Sequence, residues 1–289
     1  MKNKKLSGLK EALILPILLV VVPTTFVGFL ASGSSNIIDM LLGLVLIILA
    51  GVSANVLNNY SDWEIDIKNK KRNILHETFK RRELSFLYLF ILLLIYLIVY
   101  IFRLNFYTLL TISLYILMGI FYSLFIRFKD KILFNYLIIA ISYGVIAFSL
   151  GYFLGSNIIS GFYNLLPIII FIFIADFGYS ISKDYGDIIG DKKYKKNTLP
   201  VIFGKDFSIK FQFLIINIAY IFLLITISLN KLSYLYLFLF ISYLFAMYII
   251  KKTKNTNNIN ILNKMHFLAQ INGLSIRFIL ILLLLIKFL

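Results

Sequence analysis

The sequence predicts an all-α fold: a polytopic membrane protein built as a bundle of about nine transmembrane helices. Three observations predict it. Apolar residues make up 61% of the 289-residue chain and charged residues only 15%; with a mean hydropathy of +0.92, this is not the make-up of a soluble domain. The apolar residues gather in runs of about 20, the length a helix needs to cross a bilayer. Finally, 25 of the 29 Lys and Arg fall in the N-terminal segment and alternate loops, the asymmetry that marks the cytoplasmic side.

The first run, residues 10–31, contains Pro16 and Pro23, each of which removes a backbone donor and bends the span. It is too long for a cleavable signal peptide and lacks a small-residue cleavage site. The second, 37–57, leads into an acid-rich stretch, and the third and fourth, 84–102 and 105–126, are divided near Arg103. Runs 132–153 and 161–181 follow, the latter leading into a second acid-rich stretch. Asn230-Lys231 alone divides 208–229 from 232–250, and 269–288 completes the set. Charge asymmetry then expects a multi-pass protein of the cell membrane, with the N-terminus and both acid-rich stretches cytoplasmic.

The longest polar segments, 65–83, 183–207 and 251–265, are too short for a core of their own. Residues 1–289 therefore read as one transmembrane domain, with polar loops near 58–83 and 183–207. The net charge of +16 follows from topology and contact with anionic lipid headgroups, so no nucleic-acid partner is expected; no obligate protein partner is inferred either. Absence of cysteine excludes disulfides, thiolate metal sites and Cys nucleophiles. His76 and His266 are expected at the membrane interface.

Six of the 13 acidic residues lie in the two stretches, Asn58-Asn59-Tyr60-Ser61-Asp62-Trp63-Glu64-Ile65-Asp66 and Lys183-Asp184-Tyr185-Gly186-Asp187-Ile188-Ile189-Gly190-Asp191. Asn58, Asp62 and Asp66 are spaced i, i+4, i+8, so a helix continuing from the second span aligns them on one face. Asp184, Asp187 and Asp191, spaced i, i+3, i+7, would share a face on a continuation of the sixth. Like charges at such spacing repel. A hard divalent cation resolves the repulsion: Mg²⁺ takes one or two carboxylates and completes its shell with water and phosphate oxygens. Ordinary solvated helix ends are the bland alternative.

The first stretch, followed by Asn69, resembles the NDxxDxEID…N motif of the UbiA superfamily of intramembrane prenyltransferases. The second, continuing to Thr198-Leu199-Pro200-Val201, is similar to that family's KDxxDxxGD…TLP motif, in the form of its geranylgeranylglycerol-phosphate geranylgeranyltransferase (digeranylgeranylglyceryl phosphate synthase) branch. Tyr122-Ser123 with Arg127, Lys129 and Asn135 resembles the family's loop after span four. The resemblance covers essentially the whole chain. Several positions depart from it: Asn59 stands for a usual Asp, Lys70-Lys71-Arg72-Asn73 for a basic proline-containing segment, and Tyr179-Ser180 for Arg-Glu. Ile189 replaces a Glu and Arg127 a Lys.

The resemblance implies Mg²⁺-dependent transfer of a prenyl group, geranylgeranyl in the closest branch, from its diphosphate to a lipophilic acceptor. It implies metal ligation by Asp62, Asp66, Asp184, Asp187 and Asp191, with Asn58 joining the catalytic set. Tyr122, Arg127, Lys129, Lys183 and Arg72 are the substrate-binding candidates, the basic ones for the diphosphate. Asp176 lies inside span six, where a carboxylate is a functional candidate by default: it either binds or deprotonates the acceptor or serves as a hydrogen-bonded packing residue. A glycerol-phosphate ether-lipid precursor is the favoured acceptor, and an aromatic ring of a quinone pathway the alternative. A non-catalytic homologue and an ion-coupled transporter are the rival classes; the latter usually binds its ion near the midplane, whereas these acids sit at one membrane face.

Overall fold

The computed structural model describes residues 16–68, 74–193 and 196–288, with the side chains of 65–68, 74, 287 and 288 left undescribed. Nine helices form a bundle, and no strand occurs among the described residues: α1 (Ile17–Ala31), α2 (Ile37–Lys68), α3 (Arg81–Ile101), α4 (Phe106–Ser123), α5 (Phe134–Gly155), α6 (Leu166–Asp184), α7 (Lys205–Ser228), α8 (Tyr234–Lys254) and α9 (Ile259–Phe288). Eight of them are long and apolar enough to cross a membrane, and the described part of α1 is a shorter apolar helix. The expected multi-pass bundle is what folds. Between Pro16 and Pro23, α1 runs as a π-helix over Ile17–Val21 before regular α geometry resumes, so the prolines widen the turn.

α5 is the centre. Its apolar window is 72% buried, against 22% for α3, whose Leu89, Phe90, Leu93 and Tyr100 face outward as a lipid-facing helix requires. Two apolar clusters meet along α5: Tyr136, Phe148 and Tyr152 pack towards α6, α7 and α9, while Ala147, Leu150 and Leu154 pack towards α2, α3 and α4. α1 crosses α5 at backbone contact. A Cβ on Gly28 would overlap the Phe148 carbonyl, and one on Gly151 the Thr25 carbonyl, the small-residue device by which membrane helices approach closely.

Buried polar groups tie the first of these clusters together. Asn272 of α9 donates to the Tyr179 hydroxyl at 3.0 Å and to the Ser242 carbonyl at 2.9 Å, linking α6, α8 and α9. Arg277, fully buried, donates to Asp176 Oδ2 (2.5 Å), Thr24 Oγ1 (2.9 Å) and the Gly273 carbonyl (3.2 Å). In hydrocarbon neither charge of this pair survives alone.

Candidate active site

The first acidic stretch is helical, as its spacing requires: α2 continues without a break to Lys68, leaving the bundle with Asn58 and Asp62 one turn apart. The loop after α4 is folded back over this end by two non-glycine residues with positive φ, Arg127 (51°) and Leu133 (62°), a costly geometry kept where the surroundings fix it. It delivers two cations to α2. Lys129 Nζ donates to Asn58 Oδ1 (2.9 Å), Ser61 Oγ (2.7 Å) and Asp62 Oδ1 (2.7 Å). Arg127 reaches Asp62 Oδ1 at 3.2 Å and Asp130 Oδ2 at 2.7 Å.

The electrostatics follow from these contacts. Burial lowers the pKa of Lys129, and the charge of Asp62 restores only part of it. Burial also opposes the charge of Arg127, but Asp130 and Asp62 outweigh it and hold that guanidinium above its ordinary value. Two neighbours in the stretch serve other ends: Glu64 pairs with Arg81 at 2.8 Å, fastening α2 to α3, and the Asn59 amide turns back onto Asn55. Asp66 lies on α2, but its side chain, like Arg72 as a whole, falls outside the described residues.

The second stretch departs from the single helix that its spacing predicts. α6 tightens to 3-10 geometry over Ile181–Asp184, turns through Tyr185–Asp187, and restarts as a short helix, Ile188–Lys193. Gly186, a weak helix former, lies in the break and lets the Asn263 side chain at the start of α9 approach its backbone closely. The three acids consequently point to different partners. Asp184, buried, accepts from Tyr136 Oη at 2.6 Å and Asn135 Nδ2 at 3.3 Å. Asp187 is exposed. Asp191 pairs with Lys196 at 3.3 Å; burial raises the carboxyl pKa against the pull of Lys196. Burial would lower Lys196, but Asp191, with Asp62 and Asp130 adding, raises it. Lys196 thus feels acids of both stretches.

Lys183 joins the halves of the site. Its ammonium donates to Asn135 Oδ1 (2.5 Å) and Tyr122 Oη (3.1 Å), and Tyr122 Oη in turn to Asn135 Oδ1 (3.2 Å). Among the described residues no three His, Cys, Asp or Glu side chains gather as a ready-made metal cluster: Asp62, Asp184 and Asp191 are each turned to a protein partner. The donor set is still that of a hard cation, carboxylate and amide oxygens at one end of the bundle with Asp187 open to solvent, and it fits Mg²⁺ rather than a softer metal.

Two cavities lie beneath these groups. One, of about 170 Å³, runs from Asn58 and Tyr122 past Gly51, Ala54 and Gly119 towards Ile138. The other, of about 110 Å³, is lined by Asp176, Ser180, Lys183, His266 and Gln270, and Ile139 and Tyr143 border both.

A protein-family model for the UbiA prenyltransferase family matches residues 20–271. The chain belongs to that family. Solved structures with the same fold include one described as a digeranylgeranylglyceryl phosphate synthase in membranes (22% identity, TM-score 0.71, covering 98% of each chain). A UbiA homologue from Archaeoglobus fulgidus bound to DMAPP and Mg²⁺ is 18% identical, with a TM-score of 0.69 over 96% of this chain and 99% of that one. The apo structure of a homologue from Aeropyrum pernix K1 is 15% identical, with a TM-score of 0.71 over 94% and 98%. No curated protein sequence matches the chain. Of the polar residues named from the sequence of this prenyltransferase-family member, the structure brings Asn58, Asp62, Arg127 and Lys129 together, and Tyr122, Asn135 and Lys183, but does not align Asp184, Asp187 and Asp191 on one helix face.

Asp176 lies apart from these groups, on the wall of the smaller cavity and bound to Arg277. Sequence reasoning did not single out Ser61, Asp130, Tyr136 or Lys196. Only Tyr136 carried a signal, as the neighbour of Asn135. Arg277 was legible: a cation inside the last span needs an anion, and Asp176 is the acid inside the sixth.

Proposed function

We propose that this membrane protein transfers a geranylgeranyl group from its diphosphate to a lipophilic alcohol, a glycerol-phosphate ether-lipid precursor, in an Mg²⁺-dependent reaction. The reading treats residues 1–289 as one catalytic domain in the cell membrane, with the N-terminus and the acid-bearing end in the cytoplasm. One observation carries it: Asn58 and Tyr122 line an otherwise largely apolar cavity, Lys129 and Lys183 donate to them, and Asp62 and Arg127 stand beside Lys129, so a diphosphate held by these groups can point its prenyl chain into the bundle. Relatives of the same fold support it, one described as bound to DMAPP and Mg²⁺ and another as a digeranylgeranylglyceryl phosphate synthase.

Asp62, Asp66, Asp187 and Asp191 would hold Mg²⁺, with Asp184 behind them and Asn58 supplying an amide oxygen. The metal, when bound, neutralises the diphosphate as the allylic C–O bond breaks. The chain's own residues do the rest. Arg127, Lys129 and Lys183, with Arg72 from the same end, bind the leaving diphosphate, Arg through paired donors and Lys as point charges. Tyr122 and Asn135 fix the Lys183 ammonium between the cavities. The surrounding apolar helices exclude the water that would otherwise capture the allylic cation.

The test is release of diphosphate from geranylgeranyl diphosphate by the purified protein in lipid, with and without acceptor. Release that stops with EDTA and returns with Mg²⁺ is the expected result. Geranylgeranylglyceryl phosphate should be prenylated in preference to an aromatic ring acceptor such as 4-hydroxybenzoate. No metal-dependent release under any acceptor would defeat the proposal; preference for the aromatic ring would overturn its acceptor half.

A further inference from the structure

The smaller cavity contains a hydrogen-bond chain that the diphosphate-binding groups do not use. Gln270 Nε2 lies 2.8 Å from His266 Nε2, and His266 Nδ1 lies 3.0 Å from Ser182 Oγ. The Ser182 hydroxyl donates to the Tyr179 carbonyl at 2.7 Å, so its one proton is taken and its oxygen must accept from His266. His266 therefore carries its proton on Nδ1, and its Nε2 lone pair accepts from the Gln270 amide. That fixes the amide: its NH₂ faces His266, and its carbonyl oxygen takes no hydrogen bond from the described residues. Gln270 and His266 both line the cavity, as does Lys183.

The two cavities differ in chemistry. Away from its mouth the larger one is walled by Ile17, Gly51, Ala54, Met118, Gly119 and Ile138, which suits a hydrocarbon chain. The smaller presents an oriented amide, an imidazole, the Lys183 ammonium and the Asp176 carboxylate, the last paired with Arg277. Ile139 and Tyr143 border both, so ligands in the two can meet there. An unpaired acceptor oxygen in a largely apolar cavity calls for a donor, and an alcohol O–H is one. Lys183 borders this cavity as well as serving the diphosphate end, and Arg277 neutralises the Asp176 carboxylate on the same wall, so an anionic headgroup meets no unpaired negative charge there.

We propose that the smaller cavity is the acceptor pocket, that Gln270 binds the hydroxyl of an anionic lipid alcohol, and that His266, anchored by Ser182, is the positioning residue that turns the amide towards it. This rests on the prenyltransferase reading above and adds the acceptor's place and polarity to it. An aromatic carboxylic acid lacking a hydroxyl would leave the Gln270 oxygen unpaired and is disfavoured.

The experiment compares wild type, Gln270→Leu and His266→Ala in lipid, with geranylgeranyl diphosphate, Mg²⁺ and geranylgeranylglyceryl phosphate. Acceptor KM is expected to rise about tenfold or more in Gln270→Leu and about three- to tenfold in His266→Ala. Metal-dependent binding of geranylgeranyl diphosphate should stay within about twofold of wild type in both, which also shows that each variant is folded. A packing role alone would shift both ligands or neither. Unchanged acceptor KM in Gln270→Leu overturns the proposal, and so does an equal loss of diphosphate binding. If His266→Ala does not fold, Gln270→Leu decides. Wild type that neither binds nor cleaves geranylgeranyl diphosphate is a different outcome, which defeats the prenyltransferase reading itself.

Discussion

The end of α2 is one unbroken helix whose acid meets cations, Asp62 against Lys129 and Arg127, whereas the end of α6 breaks into a 3-10 turn whose first acid meets neutral donors, Asp184 against Tyr136 and Asn135. The difference comes from local chain chemistry. Nothing between Asn58 and Lys68 interrupts helix formation, so side-chain spacing survives into the structure. Gly186 and Gly190 weaken the second stretch, and the close approach of α9 at Asn263 takes advantage of the break. In the first region, then, the charge of Asp62 is held by two side-chain cations. In the second, Asp184 is a fixed strut, Asp191 is buried against Lys196, and Asp187 alone of the three is open to solvent.

If that contrast is right, the largest effect on catalysis follows from removing the charge at Asp62. Asp62→Asn should lower kcat/KM for geranylgeranyl diphosphate by about a hundredfold or more, some ~2.7 kcal/mol in the barrier, and Asp184→Asn clearly less. Steady-state kinetics in lipid measure both, and equal losses would erase the distinction between ligand and strut. The next effect is structural. Arg277→Leu strands Asp176 among apolar helices and should cost about 3–5 kcal/mol, seen as a lower Tm in detergent. Adding Asp176→Leu should restore much of the loss. Asp176→Asn with full turnover and unchanged acceptor affinity would confine Asp176 to packing.

Much of this was legible in the chain, for reasons that differ by residue. Membrane helices are written in long apolar runs because hydrocarbon tolerates nothing else, so the bundle and the order of its spans could be read directly. The Asn58–Asp62 register was legible because one helix carries it. The partners of Asp184 were not: Tyr136 lies 48 positions away, on a different helix, and no periodicity connects them. Nor was the fold-back at Arg127 and Leu133 visible, since both residues take positive φ without the glycine that usually announces it. The acid and the cation buried in spans six and nine could have been paired on physical grounds, each being too costly to leave alone.

A smaller effect probes the strut itself. Tyr136 Oη donates to Asp184 and also accepts from the Leu199 backbone N–H at 3.2 Å, holding the start of the short helix Leu199–Ile202 against α5. Tyr136→Phe removes both bonds and leaves a buried carboxylate short of a donor, a loss of about 1–3 kcal/mol. Stability should fall while the Mg²⁺ dependence of turnover keeps its midpoint. A shifted midpoint would mean that Asp184 ligates the metal directly.

The subtlest effect belongs to the other region. Lys129 places its ammonium 2.7 Å from Asp62 and spreads its three donors over Asn58, Ser61 and Asp62, so a cation approaching Asp62 must compete with it. In the proposed reaction the same ammonium is needed once a diphosphate arrives, because neutralising the leaving group lowers the barrier. Lys129→Gln separates the two roles. With the competitor gone, the Mg²⁺ concentration for half-maximal rate should fall about two- to fivefold, roughly 0.5–1 kcal/mol for one charge-assisted hydrogen bond no longer competed for. With the charge gone, kcat should fall as well. The two parameters moving down together is the signature of a lysine that guards the site when empty and serves it when full. If Lys129 were only a topological anchor, neither would move; if it only bound diphosphate, the Mg²⁺ midpoint would hold or rise.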